Sequence, residues 1–329
     1  MHVTILNEGE IRRAVAMGEE AIDAVAHAFG RLAEGRVSQP PVIRVDVAAH
    51  RGEVDIKTAY VEGLEHFAIK VASGFFDNPA IGLPYGSGMM LVLSARTGLL
   101  EALLFDNGYL TDLRTGIAGA IAARYLAPAS IETAGVIGAG VQARYQMRAL
   151  RQVRDFRRLL VYSTRARSVE RYVDEMSQEL GIEVRPAASA EQVVRESHFV
   201  ATTTPSREPY LRAEWLHPRL HVTAVGADGE HKQELFADAL GRADRLACDS
   251  KRQCFALGEL HHALDARVIG RDAEIAELGE LCNGTRGGRA SEGEISICDL
   301  TGVGVQDTAI AVLCLRRALA LGLGTRLES

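Results

Sequence analysis

The stretch Gly135-Val136-Ile137-Gly138-Ala139-Gly140-Val141-Gln142-Ala143 is an apolar run that turns on glycine and passes at once into a helical pattern. Gly138 permits a tight turn, Gly140 lets a pyrophosphate approach the backbone, and Ala143 is small enough for close helix–strand packing. The first turn of the helix, at Val141 and Gln142, would then present the positive end of its dipole to the phosphates. Such a turn by itself is weak evidence, because a plain strand–helix junction can look the same. Its surroundings strengthen it. Strand patterns at 134–137, 159–162, 183–185, 199–202, 221–225 and 245–248 accompany helix patterns at 142–153 and 168–180. That alternation predicts an α/β fold with a Rossmann-type doubly wound parallel sheet.

The dinucleotide is left open at this level. The second strand ends in Val161-Tyr162-Ser163-Thr164-Arg165, where an NAD site would usually place an acidic residue on the ribose hydroxyls. Ser163, Thr164 and Arg165 could instead hold a 2′-phosphate, so NAD and NADP both stand, as does an Arg165 that only caps a surface loop. Arg144, Arg148, Arg151, Arg154, Arg157 and Arg158 form a basic stripe, expected to be a solvated face.

Upstream the rhythm differs. Ile11, Val15, Ile22, Val25, Phe29 and Leu32 recur at helical spacing, with Gly35 and Pro40-Pro41 as stops. Strand patterns at 42–47, 54–60, 67–71, 89–93 and 99–104 then follow without helices between them, which predicts a largely antiparallel or mixed sheet. A small-residue helix is expected over 115–126, a late strand over 294–298 and a last helix over 307–320. The expected organisation is an amino-terminal α+β domain over 1–115, joined by the C-terminal helix at 305–329, and a dinucleotide-binding domain over 116–304.

Composition narrows the function classes. The 329 residues are 47% hydrophobic and include 32 glycines, and 37 basic against 43 acidic residues give a formal net charge of −6. A protein that binds nucleic acid by neutralising phosphates would show a basic excess, so no nucleic-acid partner is expected. No run reaches the roughly 20 apolar residues of a membrane span, and the first ten residues lack a secretory pattern, so a cytoplasmic protein is expected. Cys248, Cys254, Cys282, Cys298 and Cys314 are odd in number and form no C-x-x-C, which suits reduced thiols. Cys254 with His261 and His262 lacks a second close ligand pair, so no metal is expected.

Several charged residues stand where apolar patterning predicts burial or a strand end. Lys70 interrupts Phe67-Ala68-Ile69-Lys70-Val71, and alternation alone points it to a solvated outer face. Asp112 reads as the N-cap of the following helix, which leaves Arg114 near a helix N-terminus and in need of an anion. Asp228 follows the strand ending Val225-Gly226-Ala227, at the carboxyl edge where open α/β sheets bind ligands, although a turn residue before Gly229 reads equally well. Thr301-Gly302 follows the last strand in the same manner. Lys57 lies two residues from Asp55 on one strand face, so an ion pair and a substrate contact are both open.

Taken together, the glycine turn, Thr111-Asp112-Leu113-Arg114-Thr115, Ile69-Lys70-Val71, Gly226-Ala227-Asp228 with Lys232, and Asp299 to Asp307 resemble the ornithine cyclodeaminase/μ-crystallin family. The stretches 51–79 and 102–116, with Gly258-Glu259-Leu260-His261-His262, are most similar to its ectoine-utilisation branch, in which Lys57 and the histidine pair look distinctive. The resemblance implies a homodimer whose amino-terminal domain serves dimerisation and substrate contact. It implies hydride chemistry at the C–N bond of a small α-amino or imino acid, in ectoine or hydroxyectoine degradation. Arg44, Lys70 and Arg114 match the positions that hold the substrate carboxylate, and Asp228, with Lys70, the catalytic positions. Cofactor contacts are expected at Arg114, Gly138, Ala139, Gly140, Val141, Gln142, Ser163, Thr164, Arg165, Thr203, Val225, Gly226, Ala227, Lys232, Thr301 and Gly302. Tyr85 departs from the smaller polar residue of relatives. Four activities compete: net imine reduction or amino-acid dehydrogenation, redox-neutral cyclodeamination, crystallin-like binding without catalysis, and 2-hydroxy-acid oxidation. The last is disfavoured because no histidine sits beside a matching motif.

Overall fold

The chain is described as a computed structural model over residues 2–328. It divides into two compact units: one runs to Arg114 and resumes at Val303, and the other is Thr115–Gly302. Each carries one eight-stranded sheet.

In the first unit the strand order is Thr325–Glu328, His2–Asn7, Leu100–Phe105, Gly86–Ser94, His66–Phe75, Gly52–Val61 and Val37–Ser38, with Ile43–Val47 also paired to Gly52–Val61. The sheet is mixed, because His2–Asn7 runs parallel to Leu100–Phe105 while the other neighbours are antiparallel. Its register separates two kinds of cross-strand row. Ile43, Ile56, Val71 and Met89 are successive partners on one face. Lys57, Lys70, Met90 and Leu104 are successive partners on the other. The helix Gly304–Ala320 packs on the second face, against Gly52–Val61 and His66–Phe75. Thr308 of that helix donates its hydroxyl to the Ala59 carbonyl at 2.7 Å and accepts the Ala68 N–H at 3.1 Å. A Cβ on Gly304 would stand 2.5 Å from the Thr58 oxygen, so glycine is what lets the helix start so close to the strand.

Two expectations for this unit change. The apolar period from Ile11 to Leu32 is split into helices Glu8–Ala14 and Glu19–Ala33, and the first is set by an Asn7–Glu10 capping box. The strand His2–Asn7 precedes it, and pairing with a distant strand rather than local pattern creates it.

In the second unit the order is Glu183–Pro186, Arg158–Tyr162, Thr133–Ile137, Phe199–Thr202, His221–Ala224, Ser296–Asp299, Arg245–Cys248 and Ile275–Glu277. Every pairing is parallel. The order reverses direction between Thr133–Ile137 and Phe199–Thr202, which makes their carboxyl ends the topological switch point of the doubly wound sheet. The late strand expected over 294–298 is Ser296–Asp299, starting two residues later and ending one later, so the buried Asp299 ends a strand. The edge strand Ile275–Glu277 has three residues and little periodicity to reveal it.

The basic stripe is an exposed to half-buried face, as expected, but its members are engaged in ion pairs and carbonyl contacts. Arg144 and Arg148 of the helix Val141–Val153 meet Glu175 and Glu179 of the helix Ala166–Leu180, two four-residue spacings in step. Arg151 donates to the Phe156 carbonyl, and Arg154 to the Pro128 and Arg124 carbonyls. Exposed pairs of this kind contribute only about 0–1 kcal/mol each. The carbonyl contacts do more for the helix end, since they satisfy backbone acceptors.

Candidate active site

Gly138 and Thr203 follow the two strands that flank the switch point and close on each other. Gly138 has φ +109°, and a Cβ there would stand 2.4 Å from Thr203 Oγ1 and 3.0 Å from its carbonyl oxygen. Glycine is therefore demanded twice, by conformation and by space. At Gly140 a Cβ would meet nothing within 4 Å, and Gly140 N-caps the helix Val141–Val153 without a side-chain cap. An open glycine cradle against uncapped helix N–H groups fits the pyrophosphate of a dinucleotide. Arg144 braces the turn from behind, donating to the Ala139 and Gly140 carbonyls at 2.8 and 2.9 Å. Ser163, Thr164 and Arg165 follow the neighbouring strand, whose last residue, Tyr162, accepts the Gly138 N–H on its carbonyl at 2.8 Å. Thr164 and Arg165 are exposed. No carboxylate occupies Ser163 to Arg165.

The next loops are held by buried carboxylates that the sequence reading passed over. Glu234 is fully buried and accepts from Thr202 Oγ1, the Thr204 hydroxyl and N–H, the Tyr210 hydroxyl and the Gly226 N–H. It thereby fixes the Val225-Gly226-Ala227 backbone just before Asp228. A Cβ at Gly226 would stand 2.2 Å from the Thr204 oxygen, so this loop too is closed by glycine. Glu259 accepts the Glu234 and Leu235 N–H groups. Asp249 accepts the Thr301 and Gly302 N–H groups at 2.9 and 2.6 Å, and Gln253 donates to Thr301 Oγ1 and the Gly302 carbonyl. Burial pushes the carboxyls of Glu234 and Glu259 above their usual range. The Asp299 carboxyl rises to about 8 by burial, with Asp249 alongside. Glu234 follows His231-Lys232-Gln233 and Asp249 precedes Ser250-Lys251-Arg252, so polar neighbours disguise their burial in the sequence.

Asp228 is half-exposed and paired with Lys232, Nζ to Oδ1 at 2.7 Å. His262 Nε2 lies 2.9 Å from the Lys232 carbonyl oxygen and steadies the backbone that carries this partner. His261 lies near Asp265 at 3.6 Å instead, so the two histidines differ in role. Among the described residues, no group of three or more His, Cys, Asp or Glu could hold a metal ion.

The first unit gathers a second constellation. Lys70 is 2% exposed on the sheet face beneath the helix Gly304–Ala320, not on an outer face. Alternation had the strand right but could not tell which face the C-terminal helix would cover. Asp307 of that helix lies between the cations, with Oδ2 at 3.2 Å from Lys70 Nζ and Oδ1 at 2.9 Å from Arg114 Nε. The helix that carries Arg114 starts at Tyr109, not after Asp112; Asp106 caps it by accepting the Leu110 N–H at 2.8 Å. Arg114 thus lies in the second turn, and its anion is Asp307. Arg44 is engaged by Asp55 of the neighbouring strand. Its guanidinium makes two hydrogen bonds to Asp55, at 2.8 and 3.0 Å. Tyr85 is half-exposed and sets its ring edge-on to Phe76.

Burial and the Arg114 guanidinium bring the Lys70 ammonium down to about 7 against the pull of Asp307. Burial works against charge on Asp307 as well, yet Arg114, Lys70 and Lys57 outweigh it and hold that carboxyl below its usual range. At an effective dielectric of about 20, one ion pair at this separation attracts by roughly 5 kcal/mol, while each buried ion costs several. One carboxylate is shared by two buried cations, Lys70 and Arg114, which leaves that pair with a surplus of positive charge. The cluster is therefore suited to receive an anion, and a planar carboxylate matches a guanidinium beside an ammonium.

These features define a class: an α/β protein with a Rossmann-type dinucleotide fold and a separate mixed-sheet unit bearing a buried anion-receiving cluster. The chain belongs to the ornithine cyclodeaminase/mu-crystallin family, whose sequence profile matches residues 2–321. It is 48% identical over 326 residues to an uncharacterized cyclodeaminase of Sinorhizobium fredii, covering 99% of this chain and 98% of the relative. Among solved structures it is similar to the Thermococcus litoralis Δ1-pyrroline-2-carboxylate reductase in complex with NADH and L-proline. That match has a TM-score of 0.93 at 31% identity and covers 98% of this chain and 99% of the other. It is also similar to an archaeal alanine dehydrogenase dimer with bound NAD, with a TM-score of 0.91 at 33% identity, covering 100% and 99% of the two chains.

Proposed function

We propose that this protein is an NAD-dependent oxidoreductase acting at the C–N bond of a small α-amino or imino acid, as an imine reductase or amino-acid dehydrogenase. The observation that carries the reading is the buried Lys70–Asp307–Arg114 cluster in a chain that also holds an open glycine cradle for a dinucleotide. NAD, when bound, exchanges a hydride with the substrate carbon while the nitrogen exchanges a proton, so that imine and amine interconvert. Gly138, Ala139, Gly140, Val141, Gln142 and Thr203 line its pyrophosphate site, Ser163, Thr164 and Arg165 its adenosine ribose. Val225, Gly226, Ala227, Lys232, Thr301 and Gly302 serve the remaining contacts. Lys70 and Arg114 hold and orient the substrate carboxylate. Arg44, closed on Asp55, acts by bracing the sheet edge next to them.

Asp228 is the acid/base that gives or takes the proton at the substrate nitrogen, and Lys232 keeps its carboxylate oriented through their 2.7 Å contact. The first unit is the substrate and dimerisation domain, and two copies associate as in the alanine dehydrogenase dimer. The resemblance of residues 51–79 and 102–116 to the ectoine-utilisation branch extends the reading to ectoine or hydroxyectoine breakdown. The five free cysteines suit a reducing cytoplasm.

The test is absorbance and fluorescence of NADH and NADPH with purified protein and a panel of imino acids, run on the wild type and Asp228→Asn. Net NADH oxidation is expected, and Asp228→Asn should bind NADH normally while losing at least about tenfold in turnover. Ammonia release without net change in NADH would mark a redox-neutral cyclodeaminase instead. A preference for NADPH would move Ser163, Thr164 and Arg165 onto a 2′-phosphate.

A further inference from the structure

The loop from Gly226 to Glu234 is closed by its own last side chain. Glu234 Oε2 accepts the Gly226 N–H at 2.9 Å, which ties the end of the loop to its start. Inside it the Lys232 N–H meets the Gly229 carbonyl at 3.0 Å, and Asp228 stands paired with Lys232. The closing carboxylate is also gripped from outside the loop. Oε2 accepts the Thr202 hydroxyl at 2.6 Å, and Oε1 accepts the Thr204 N–H, the Thr204 hydroxyl and the Tyr210 hydroxyl at 2.6 to 2.7 Å. The Glu234 backbone is fixed as well: its N–H donates to Glu259 Oε1 at 2.7 Å, and its carbonyl accepts the Tyr210 and Leu211 N–H groups. A fully buried carboxylate is costly unless its lone pairs are filled, and apolar packing alone would serve a loop that needed only stability.

We infer that Glu234 is a positioning residue for the reaction: its carboxylate clamps the loop 226–234, fixes where Asp228 stands, and acts on turnover through Asp228. The inference rests on the reading above, in which Asp228 is the acid/base at the substrate nitrogen. The clamp demands a carboxylate. Backbone N–H groups, which can only donate, face both oxygens, Thr204 at Oε1 and Gly226 at Oε2. Glutamine has nearly the same shape, but one of its two terminal atoms is an NH2 group with nothing to accept. Whichever way its amide turns, a donor faces a donor, so Glu234→Gln opens the clamp with little change in side-chain size.

The full-length protein is assayed at saturating NADH, with pyruvate and ammonium as the source of a small α-imino acid. Glu234→Gln should lose about tenfold in kcat, the scale of one charge-assisted hydrogen bond. Placed on Asp228→Asn, the same change should cost less than about twofold, because a group that acts through Asp228 has nothing left to position. A full further loss on that background marks a merely structural role and overturns the inference, as does an unchanged kcat in Glu234→Gln. Hydrogen–deuterium exchange reads the clamp without turnover. In Glu234→Gln the segment 226–233 should exchange about tenfold faster, while 134–150 keeps its wild-type protection. Faster exchange in both segments, or in neither, overturns the clamp. If Glu234→Gln does not fold, Tyr210→Phe takes one hydroxyl from Oε1 and should lower kcat about threefold, again not on Asp228→Asn; no loss, or an equal loss on both backgrounds, overturns the inference. If Asp228→Asn keeps full turnover, or the wild type shows none, the functional reading fails by itself, and the exchange of 226–233 then decides the clamp.

Discussion

A buried lysine beside a guanidinium gains little by keeping its proton. Lys70 illustrates this, with burial and Arg114 bringing it down to about 7. Its sign for ligand binding follows directly: below that pH the ammonium is charged and attracts a carboxylate, and above it the neutral amine does not. A non-reactive carboxylate ligand such as succinate should therefore weaken as pH rises from 7 to 9, by up to about tenfold per unit if the anion binds only the charged form. Calorimetry across that range checks it, and Lys70→Arg, which stays charged, should flatten the profile. The stability term has the opposite sense. An unfolded lysine keeps its proton to about 10.4, so the cost of the buried charge is fully present below 7 and relieved as pH rises above it. Lys70 was legible in the sequence as an anomaly within an apolar strand. Its face was not, because alternation assigns side chains to two faces without saying which one a distant helix covers.

The helix Gly304–Ala320 makes the same point for a whole element. Its apolar pattern was readable, but the carboxylate it delivers to the sheet was not, because Asp307 acquires meaning only against Lys70 and Arg114, which lie 237 and 193 residues away in the chain. Removing one member of a buried ion cluster leaves the others uncompensated. Asp307→Asn should lower stability by about 3 kcal/mol, read from urea unfolding, and should weaken carboxylate binding as well. Unchanged stability would mean that Arg114 and Lys70 do not depend on that anchor. The glycine-turn helix behaved differently. Its start, its glycines and its partner strand are all local in sequence, and the structure adds only the support from Thr203 and Arg144.

For the molecule as a whole, the outer sheet face of the first unit is the feature to explain. Ile43, Val45, Tyr85 and Met89 are 58%, 51%, 46% and 37% exposed, and Ile81 and Leu83 add 73% and 53%. An apolar patch of that kind marks an interface more often than a free surface. Light scattering behind size exclusion should give twice the chain mass, and Ile43→Asp with Val45→Asp should shift it to one. A monomeric wild type would remove the dimer from the proposed function.

The sequence alone determined what depends on neighbours along the chain: the glycine turn, the parallel βαβ series beyond it, the strand-rich amino-terminal stretch and the residue types able to hold a carboxylate. Short-range sterics and hydrophobic period dictate all of these, and both are written in adjacent residues. The tertiary structure decided which face each charge occupies. It put Lys70 under a helix, closed Arg44 on Asp55, set Lys57 opposite Lys70, and placed Glu234 and Asp249 behind the backbone of Gly226 and Gly302. Those outcomes turn on burial and on partners distant in the chain, and a charge has no fixed meaning until the fold sets its solvent and its neighbours.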